Sequence, residues 1–338
     1  KPSVEEGTFL DDMLRRDFTI NTLAIRLNKN YFGELIDTFG GVDDIERGII
    51  KTPTDPDKTF SDDPLRMLRA IRFSCELNFD IDMNTQNSIK KNSNRLEILS
   101  SERISDEINK ILMSETPSNG FKNLEKLNLL NLILPELIDL KGVEEVEGQT
   151  HKDNFYHTLE VVDNISRNTE NLWLRWAALL HDIGKAPTKK FSKKIGWTFH
   201  GHEFIGSKMV KKIFTRLSLP LNEKLNYVQK IVMMSSRPII ISEDIVTDSA
   251  VRRLIYDSGD DIDDLLTLCE ADITTKNMKK SLIYQNNFKI VRQKIKDVEE
   301  RDSIRNFQPP ITGEVIMAYF NIKPCKEIGL IKEKIKNA

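Results

Sequence analysis

The sequence predicts a mainly α-helical protein with a small α/β element near its start. From residue 64 onward, apolar residues recur with helical spacing over most of the chain, and prolines and glycines divide the helical runs. The short runs typical of strands lie before residue 40, apart from one turn-and-strand candidate at residues 196–199. Together these patterns indicate a helical protein that begins with a short α/β element.

The α/β element occupies the first part of the chain. Residues 12–24 have helical apolar spacing, and residues 24–27 and 31–39 are predicted to form two short strands around a polar turn. A Gly-Gly turn within residues 37–44 closes the element, and prolines mark a linker at 53–57. We therefore expect a helix, a hairpin and a linker in that order.

Helices follow the linker. We predict them near residues 64–77, 83–91, 101–113 and 118–129. Pro135 ends this run, and the segment 142–149, rich in Gly and Glu, fits a domain boundary. The helical period returns from 153 to 300, and Pro309-Pro310 introduces a short helical tail.

Composition restricts where the protein acts. The chain has 338 residues, of which 39% are hydrophobic and 30% charged, and no apolar run approaches the roughly 20 residues that span a bilayer. Cys75, Cys269 and Cys325 are far apart, which is typical of free thiols in a reducing compartment. A net charge of −2 gives no global attraction to nucleic acid. We expect a cytoplasmic protein without membrane contact, whose phosphate-binding surface is local; its oligomeric state stays open.

A stripe of arginines follows two aspartates in the segment 61–73, SDDPLRMLRAIRF. The proline suits the first position of a helix, which makes Asp63 the N-cap. At about 100° per residue, Arg66, Arg69 and Arg72 share one stripe about 120° wide. They are the only charged residues in the first turns of this helix, so the stripe faces something negative.

Two interpretations of the stripe stay open. The guanidinium groups either pair with carboxylates of a neighbouring element or bind a nucleotide, whose phosphates and base edges match their planar fork. Cytosine and adenine offer an amino donor beside a ring-nitrogen acceptor, which Asp63 and Arg66 can satisfy. Guanine and uracil show the reverse order and would leave polar groups unpaired. The pair is therefore a plausible template for C and A.

Four segments in order resemble the motifs of one family. They are RRDFTINTLA (15–24), DTFGGVDD (37–44), DDPLRMLRAIRF (62–73) and SERISDEINKIL (101–112). In this order they resemble the bacterial class II nucleotidyltransferases, which comprise the CCA-adding tRNA enzymes and the related poly(A) polymerases. The third segment resembles the base-templating helix, with Asp62 where the family usually has glutamate.

The resemblance implies roles for individual residues. It implies that the nucleotide-binding residues are Arg16 and Asp17 on the ribose and phosphates, Asp63 and Arg66 on the base, and Arg69 and Arg72 holding the nucleotide. It implies that the hinge between head and neck contains Gly40, Gly41 and Asp43. Asp17 has an alternative role as a cap or a partner of Arg15. The implied partners are tRNA or another RNA 3′ end, and ATP or CTP.

The family's catalytic carboxylates are missing from these motifs. The resemblance implies metal-assisted transfer by two Mg²⁺ ions on a DxD pair that follows a Gly-Gly turn on a strand. Asp43 and Asp44 follow a Gly-Gly pair but are adjacent rather than alternating, so we expect the DxD segment to precede Lys1. We expect a fragment that binds nucleotide weakly and does not polymerise by itself.

All five histidines lie between residues 151 and 202, which indicates a metal site. The order His157, His181-Asp182 and Asp272, with the words ALLHDIGK and HGHE, resembles the HD phosphohydrolase superfamily. The resemblance implies that these four side chains hold Mn²⁺, Ni²⁺, Co²⁺, Fe²⁺ or Mg²⁺, and that hydrolysis acts on phosphates or 2′,3′-cyclic phosphates at RNA ends.

Three further residues belong to the expected metal site. His200 and His202 either bind the metal or have a structural or substrate-phosphate role. Lys185 is expected to support the ligands or to contact substrate phosphate. A further histidine found in many members of the superfamily is absent from residues 232–238, which argues against a tightly held second metal.

These resemblances divide the chain into four expected parts. They are the end of a nucleotidyltransferase head with its hinge (1–57), a helical neck (58–145), a helical HD domain (146–300) and a partial helical tail (301–338). Three hypotheses follow: a tRNA nucleotidyltransferase with an HD domain, a metal-dependent phosphohydrolase whose neck binds RNA, and a non-catalytic RNA-binding fragment. A DxD segment in the reading frame upstream of Lys1 would decide for the first.

Overall fold

Helices make up most of the structure, a computed structural model that describes residues 7–238, 247–275, 277–306 and 312–337. Within these ranges the strands form four two-stranded sheets. No helix in the described part of the chain is long and apolar enough to cross a membrane.

The helices run from the first described residues to the last. They are α1 (Phe9–Leu14), α2 (Gly41–Arg47), α3 (Pro56–Asp62), α4 (Leu65–Leu77), α5 (Met83–Asn92), α6 (Ser101–Met113), α7 (Pro117–Lys126), α8 (Leu130–Ile133), α9 (Pro135–Ile138), α10 (Asn154–Ser166), α11 (Leu172–Leu180), α12 (Lys185–Thr188), α13 (His202–Arg216), α14 (Glu223–Met234), α15 (Asp248–Ser258), α16 (Ile262–Ala271), α17 (Met278–Asn306), α18 (Gly313–Phe320) and α19 (Lys326–Asn337). Short 3₁₀ turns occupy Thr19–Asn21, Ser93–Ile98 and Gly259–Asp261.

The strands are short and pair locally. They are β1 (Ala24–Ile25), β2 (Leu35–Ile36), β3 (Ile49–Ile50), β4 (Asp80–Ile81), β5 (Glu145–Val146), β6 (Gln149–Thr150), β7 (Lys190–Ser192) and β8 (Gly196–Thr198). The pairs β1–β2, β5–β6 and β7–β8 are antiparallel hairpins, whereas β3 and β4 are parallel and join residues on either side of α4. The predicted hairpin near residue 30 and the strand at 196–199 are confirmed.

The predicted helix over residues 12–24 is wrong beyond Leu14. Its helical stretch is α1, which begins earlier, at a capping box between Thr8 and Asp11. The chain then turns at Asp17, whose carboxylate accepts the N–H of Phe18 at 3.0 Å. Phe18 is extended, and its ring is fully buried against Phe73. Burial of this aromatic ring outweighs the helical periodicity of the segment.

The predicted linker at 53–57 is partly helical. Asp55 accepts the N–H of Asp57 at 3.0 Å, and Pro56 takes the first position of α3. This is a standard start for a helix, because proline lacks only an N–H that has no partner there.

The predicted helices α4 to α7 are confirmed within a few residues and form one packed group. α4 packs against both α6 and α7, and its buried face carries Met67, Leu68 and Ile71. A side chain at Gly120 in α7 would overlap Ile111 of α6, so this glycine lets the two helices approach closely.

The helices after residue 150 continue this core. α10 packs on α7, and α11 packs on α6. The guanidinium of Arg175 in α11 is buried and donates to the carbonyls of Leu112, Ser114 and Ser166 at 2.9 Å. The predicted boundary segment 142–149 contains the β5–β6 hairpin, and the four-part division remains a prediction. Pro309 and Pro310 lie outside the described residues.

Candidate functional site

A polar cleft lies where the start of α4 meets α6 and the 3₁₀ turn Thr19–Asn21. It has a volume of about 530 Å³. Its lining residues are Arg15, Arg16, Asp17, Asn21, Asp63, Leu65, Arg66, Arg69, Phe73 and Arg103. Five of the six predicted nucleotide-binding residues therefore line one cleft.

Asp63 sits between α3 and α4 in an extended conformation. Its carboxylate accepts the N–H of Leu65, the first residue of α4, at 3.1 Å, but the N-cap of this helix is Pro64, so the predicted N-cap at Asp63 is one residue too early. It also accepts from Nη2 of Arg103, at 3.2 and 3.1 Å from the two carboxylate oxygens. Both contacts orient the carboxylate at the mouth of the cleft.

Arg66 is held by backbone groups. Its guanidinium donates to the carbonyls of Thr59, at 3.4 Å, and of Arg15. Among the residues that the structure describes, no carboxylate lies within ion-pair distance of Arg66. Its positive charge is thus available to an anionic or electron-rich ligand in the cleft.

Asp17 and Arg69 form an ion pair at the base of the cleft. Oδ2 of Asp17 accepts from Nε and Nη2 of Arg69 at 2.7 and 2.6 Å. Oδ1 accepts from the N–H of Phe18 and from Asn21 at 2.8 Å. Asp17 is buried, so its contacts connect the 3₁₀ turn to α4.

A second polar cluster joins the ends of three helices after residue 150. His157 comes from α10, His181 and Asp182 follow α11, and Asp272 follows α16. One ligand atom from each of His157, His181 and Asp182 lies within 4.8 Å of the others. Asp272 Oδ1 is 2.8 Å from Nε2 of His157 and 3.7 Å from Nε2 of His181. The structure brings the four predicted ligands together.

His181 has the geometry of a metal ligand. Its Nδ1 donates to the carbonyl of Ala178 at 2.8 Å, which leaves Nε2 as the ring atom that can bind a metal ion. That Nε2 is buried and has no hydrogen-bond partner. An unpaired buried nitrogen beside two carboxylates is costly unless a cation occupies the space, so the four residues fit a divalent metal ion.

The electrostatics of the cluster agree with this fit. Burial lowers the pKa of His181, but the adjacent Asp182 and Asp272 outweigh burial and raise that pKa to about 10. Burial raises the pKa of Asp182, but His181 and Lys185 outweigh it and hold that pKa well below its usual range. The carboxylates are therefore ionised, and the positive charge that they attract in the metal-free protein is the proton of His181, which a metal ion would replace at Nε2.

A glycine allows α13 to approach this cluster. A side chain at Gly184 would overlap the carbonyl of His202, at the start of α13. The close approach places Nε2 of His202 at 3.6 Å from Oδ1 of Asp182.

Comparison with known proteins assigns three segments of the chain. Residues 1–51 match the poly A polymerase head domain, residues 78–140 match the probable RNA and SrmB-binding site of polymerase A, and residues 154–277 match the HD domain. An A-adding tRNA nucleotidyltransferase of Deinococcus radiodurans is 29% identical over 337 residues, which cover 97% of this chain and 74% of the relative. The chain is thus similar to CCA-adding tRNA nucleotidyltransferases and poly(A) polymerases over nearly all of its length.

Other relatives extend the comparison. Multifunctional CCA proteins of Shewanella frigidimarina and Nitrosospira multiformis are each 35% identical, over 64% and 65% of this chain. The chain spans about half the length of these two relatives, 51% and 52%.

Solved structures of CCA-adding enzymes share the fold. One from Thermotoga maritima, complexed with tRNA, has a TM-score of 0.58 at 22% identity and covers 97% of this chain and 68% of its own. One from Bacillus stearothermophilus, in complex with CTP, has a TM-score of 0.55 at 21% identity and covers 98% of this chain and 69% of its own. The predicted fold class, mainly helical with an HD domain, is confirmed.

Arg72 departs from the nucleotide-binding set that the family resemblance implied. It pairs with Glu107 and Glu76, each at 2.7 Å, and packs on the ring of Phe73. It does not line the cleft. For Arg72 the structure favours the alternative interpretation, pairing with carboxylates. Arg72 is the last arginine of the stripe, and it contacts Glu107 of α6 rather than the cleft.

The two arginines that precede Asp17 differ in their contacts. Arg16 lines the cleft and donates to the carbonyl of Asn21 at 2.9 Å, while Arg15 pairs with Asp12 rather than with Asp17. In the family's hinge segment, Gly40 has a φ of +70°, which favours glycine.

The aspartates of the hinge segment divide into exposed and bonded ones. Asp43 is exposed, whereas Asp37 accepts the N–H groups of Gly41 and Val42 at 2.8 and 2.9 Å. A side chain at Gly41 would overlap the carbonyl of Thr19. The movement of this segment remains a prediction.

The three residues predicted to support the metal ligands differ in their contacts with those ligands. Nζ of Lys185 is 2.6 Å from Oδ2 of Asp182, and His202 faces the same carboxylate. His200 is exposed, and the described contacts connect it to none of the four ligands.

Sequence reasoning missed three residues of the two sites. Arg103, in the fourth family motif, pairs with Asp63; its i, i+4 spacing from Glu107 was the available signal, because both then face α4. Lys152 and Thr274 contact His157, although Thr274 lies 117 positions away from it. No pattern in the sequence indicates that contact.

Proposed function

We propose that this chain is the nucleotide-selecting and RNA-binding part of a tRNA nucleotidyltransferase, which adds A, or C and A, to RNA 3′ ends. The observation that carries the proposal is the cleft, which both the acceptor Asp63 and the donor Arg66 line. The similarity to this family and the A-adding relative from Deinococcus radiodurans support it.

The two side chains match the pairing edges of adenine and cytosine. A carboxylate only accepts and a guanidinium only donates, so Asp63 takes the amino donor and Arg66 takes the ring nitrogen. Guanine and uracil would set a carbonyl against Asp63 and an N–H against Arg66, and would leave these polar groups of the base without partners, at a cost of about 1–3 kcal/mol each. Arg103 and the N–H of Leu65 hold the Asp63 carboxylate for this purpose.

The transfer step needs Mg²⁺ on an alternating pair of carboxylates. Asp43 and Asp44 do not fit that requirement. Asp44 is buried and accepts the hydroxyl of Thr19 at 2.7 Å, while Asp43 is exposed. We therefore assign no step of the transfer to residues 1–338, and we assign to them the selection and orientation of the nucleotide.

Substitution of Arg66 tests the selection. In Arg66→Ala we expect the affinity for ATP to fall and the ratio of ATP to GTP affinity to approach one, because the donor to the ring nitrogen is gone. Calorimetric titration of the purified chain with each nucleotide measures both. The exposed Arg253 provides a matched control, and Arg253→Ala should leave the ratio unchanged. Full selectivity in Arg66→Ala would refute the template.

A second function, metal-dependent phosphoester hydrolysis, is favoured by the unpaired Nε2 of His181. We infer that His157, His181, Asp182 and Asp272 hold a divalent metal ion, which supplies an activated water when bound. Lys185, next to Asp182, provides a positive charge for the substrate phosphate. RNA 3′ ends with phosphate or 2′,3′-cyclic phosphate are the proposed substrates.

Removal of one ligand tests the hydrolase. Asp182→Asn preserves the shape of the side chain but removes the charge, so we expect loss of bound metal and of 2′,3′-cyclic AMP hydrolysis. Elemental analysis and a phosphate-release assay measure the two effects. Asp260→Ala, at an exposed aspartate, serves as the control. Metal content that stays at the level of the unsubstituted protein would contradict the proposed site.

A further inference from the structure

The two histidines of the metal cluster have opposite environments at Nδ1. The Nδ1 of His181 faces a carbonyl oxygen, 2.8 Å away, which can only accept. The Nδ1 of His157 faces Nζ of Lys152 at 2.7 Å and Oγ1 of Thr274 at 3.0 Å. Lys152 and Thr274 also contact each other, at 2.5 Å. Nδ1 of His181 thus always carries a proton, while His157 has both a donor and an acceptor beside the same nitrogen.

One hydrogen-bond arrangement excludes a metal ion from His157. An ammonium has no acceptor, so when Lys152 donates to Nδ1, the proton of the neutral ring is on Nε2. That proton is then donated to Oδ1 of Asp272, which lies 2.8 Å away. In this arrangement Nε2 has no lone pair for a metal, and Asp272 is occupied as well.

The other arrangement allows metal binding. A hydroxyl oxygen can accept two hydrogen bonds, so Oγ1 of Thr274 can accept from Lys152 and from the Nδ1–H of His157 together, once Nζ of Lys152 moves away from its 2.7 Å contact with Nδ1. The ring then loses the proton on Nε2 and gains one on Nδ1, with no change in the number of protons. Nε2 and the Asp272 carboxylate both become free to bind the metal.

We propose that Thr274 is a positioning residue that selects the metal-binding tautomer of His157, and that Lys152 favours the competing tautomer. This inference rests on the proposed hydrolase function, because it concerns the same metal site. The site thus has a built-in competition at Nδ1 of His157: Lys152 can donate to Thr274 in both arrangements, but it donates to Nδ1 only when metal is absent.

Four variants test the proposal by calorimetric titration of the metal-free chain with Mn²⁺. Thr274→Val removes the acceptor and leaves Lys152 only His157 as a partner, so the Mn²⁺ affinity should fall by about 10–100-fold. Thr274→Ser keeps the hydroxyl and should bind Mn²⁺ like the unsubstituted chain. Lys152→Met removes the competing donor and should bind Mn²⁺ more tightly. The double variant Lys152→Met/Thr274→Val should recover most of the loss.

The tautomer itself is visible by nitrogen NMR of histidine side chains, which is practical because the chain has only five histidines. Without metal, we expect the proton of His157 on Nε2 in the unsubstituted chain and in Thr274→Val. In Lys152→Met the proton should move to Nδ1. A merely structural role of Thr274 would not move this signal.

The outcomes separate this inference from the function on which it rests. Unchanged Mn²⁺ affinity in Thr274→Val, or an equal loss in the single and double variants, would overturn the tautomer selection while the metal site stands. Unchanged Mn²⁺ affinity in Asp182→Asn would overturn the metal site and this inference together. Thermal melting of each variant shows whether a loss of affinity reflects unfolding.

Discussion

Asp63 makes two contacts within the protein before any nucleotide binds. It accepts the N–H of Leu65 at the start of α4, and it pairs with Arg103 of α6. A carboxylate has about four acceptor sites, so these contacts leave capacity for a base amino group. The same residue therefore contacts the start of the helix and takes part in the proposed template.

Arg72 has a different role at the residue scale, although it belongs to the same stripe. Its side chain is 11% exposed and that of its partner Glu107 is 3% exposed. Removal of one partner of a buried ion pair leaves an uncompensated charge. In Arg72→Ala we expect the free energy of unfolding to fall by about 3 kcal/mol, with the ATP to GTP affinity ratio unchanged in the folded protein.

Urea denaturation and nucleotide titration distinguish the two arginines. Arg66→Ala should change the selectivity and have the smaller effect on stability, whereas Arg72→Ala should do the reverse. If Arg72→Ala removed nucleotide selectivity without loss of stability, the assignment of Arg72 to the ion pair would be incorrect.

At the scale of elements, Gly184 controls how closely α13 packs on the metal cluster. Its φ is −76°, which any residue adopts, so the need for glycine is steric. Gly184→Ala should lower the free energy of unfolding by about 1–3 kcal/mol and weaken Mn²⁺ binding, because the overlap pushes His202 away from Asp182.

A second glycine provides the matched control. Gly329 in α19 has open space where a Cβ would lie, so Gly329→Ala should stabilise by up to about 1 kcal/mol through helix propensity. Calorimetric unfolding and Mn²⁺ titration measure both variants. Equal behaviour of the two would argue against close packing at Gly184.

The elements also show what the sequence could predict. The helices α4 to α7 follow their apolar periodicity and their capping residues, so their bounds were predictable within a few residues. The helix proposed for residues 12–24 failed because Phe18 enters the core and Asp17 turns the chain at that point. At this point the burial of Phe18 outweighs the helical periodicity of the sequence.

At the scale of the whole molecule, the helices before and after residue 150 share one apolar core. Helices α6 and α7 pack on α11 and α10, and the buried Arg175 donates to carbonyls at the end of α6. The fold class was predictable because helical periodicity dominates most of the chain.

The membership of the two sites was only partly predictable. The four proposed metal ligands and the five cleft residues were predicted because they belong to motifs that identify local chemistry. The partners of these residues could not be predicted in this way. Arg69 pairs with Asp17, which lies 52 positions away in the sequence, and Thr274 contacts His157, which lies 117 positions away. Such pairings depend on how helices dock, which residue spacing within one segment does not specify.

The central claim is that the cleft of Asp63 and Arg66 selects adenine and cytosine. Calorimetric titration of the unsubstituted chain with ATP, CTP, GTP and UTP at one salt concentration tests it most directly. We expect ATP and CTP to bind at least about tenfold more tightly than GTP and UTP, since the wrong bases set an acceptor against Asp63 and a donor against Arg66. Equal affinities for all four nucleotides would contradict it.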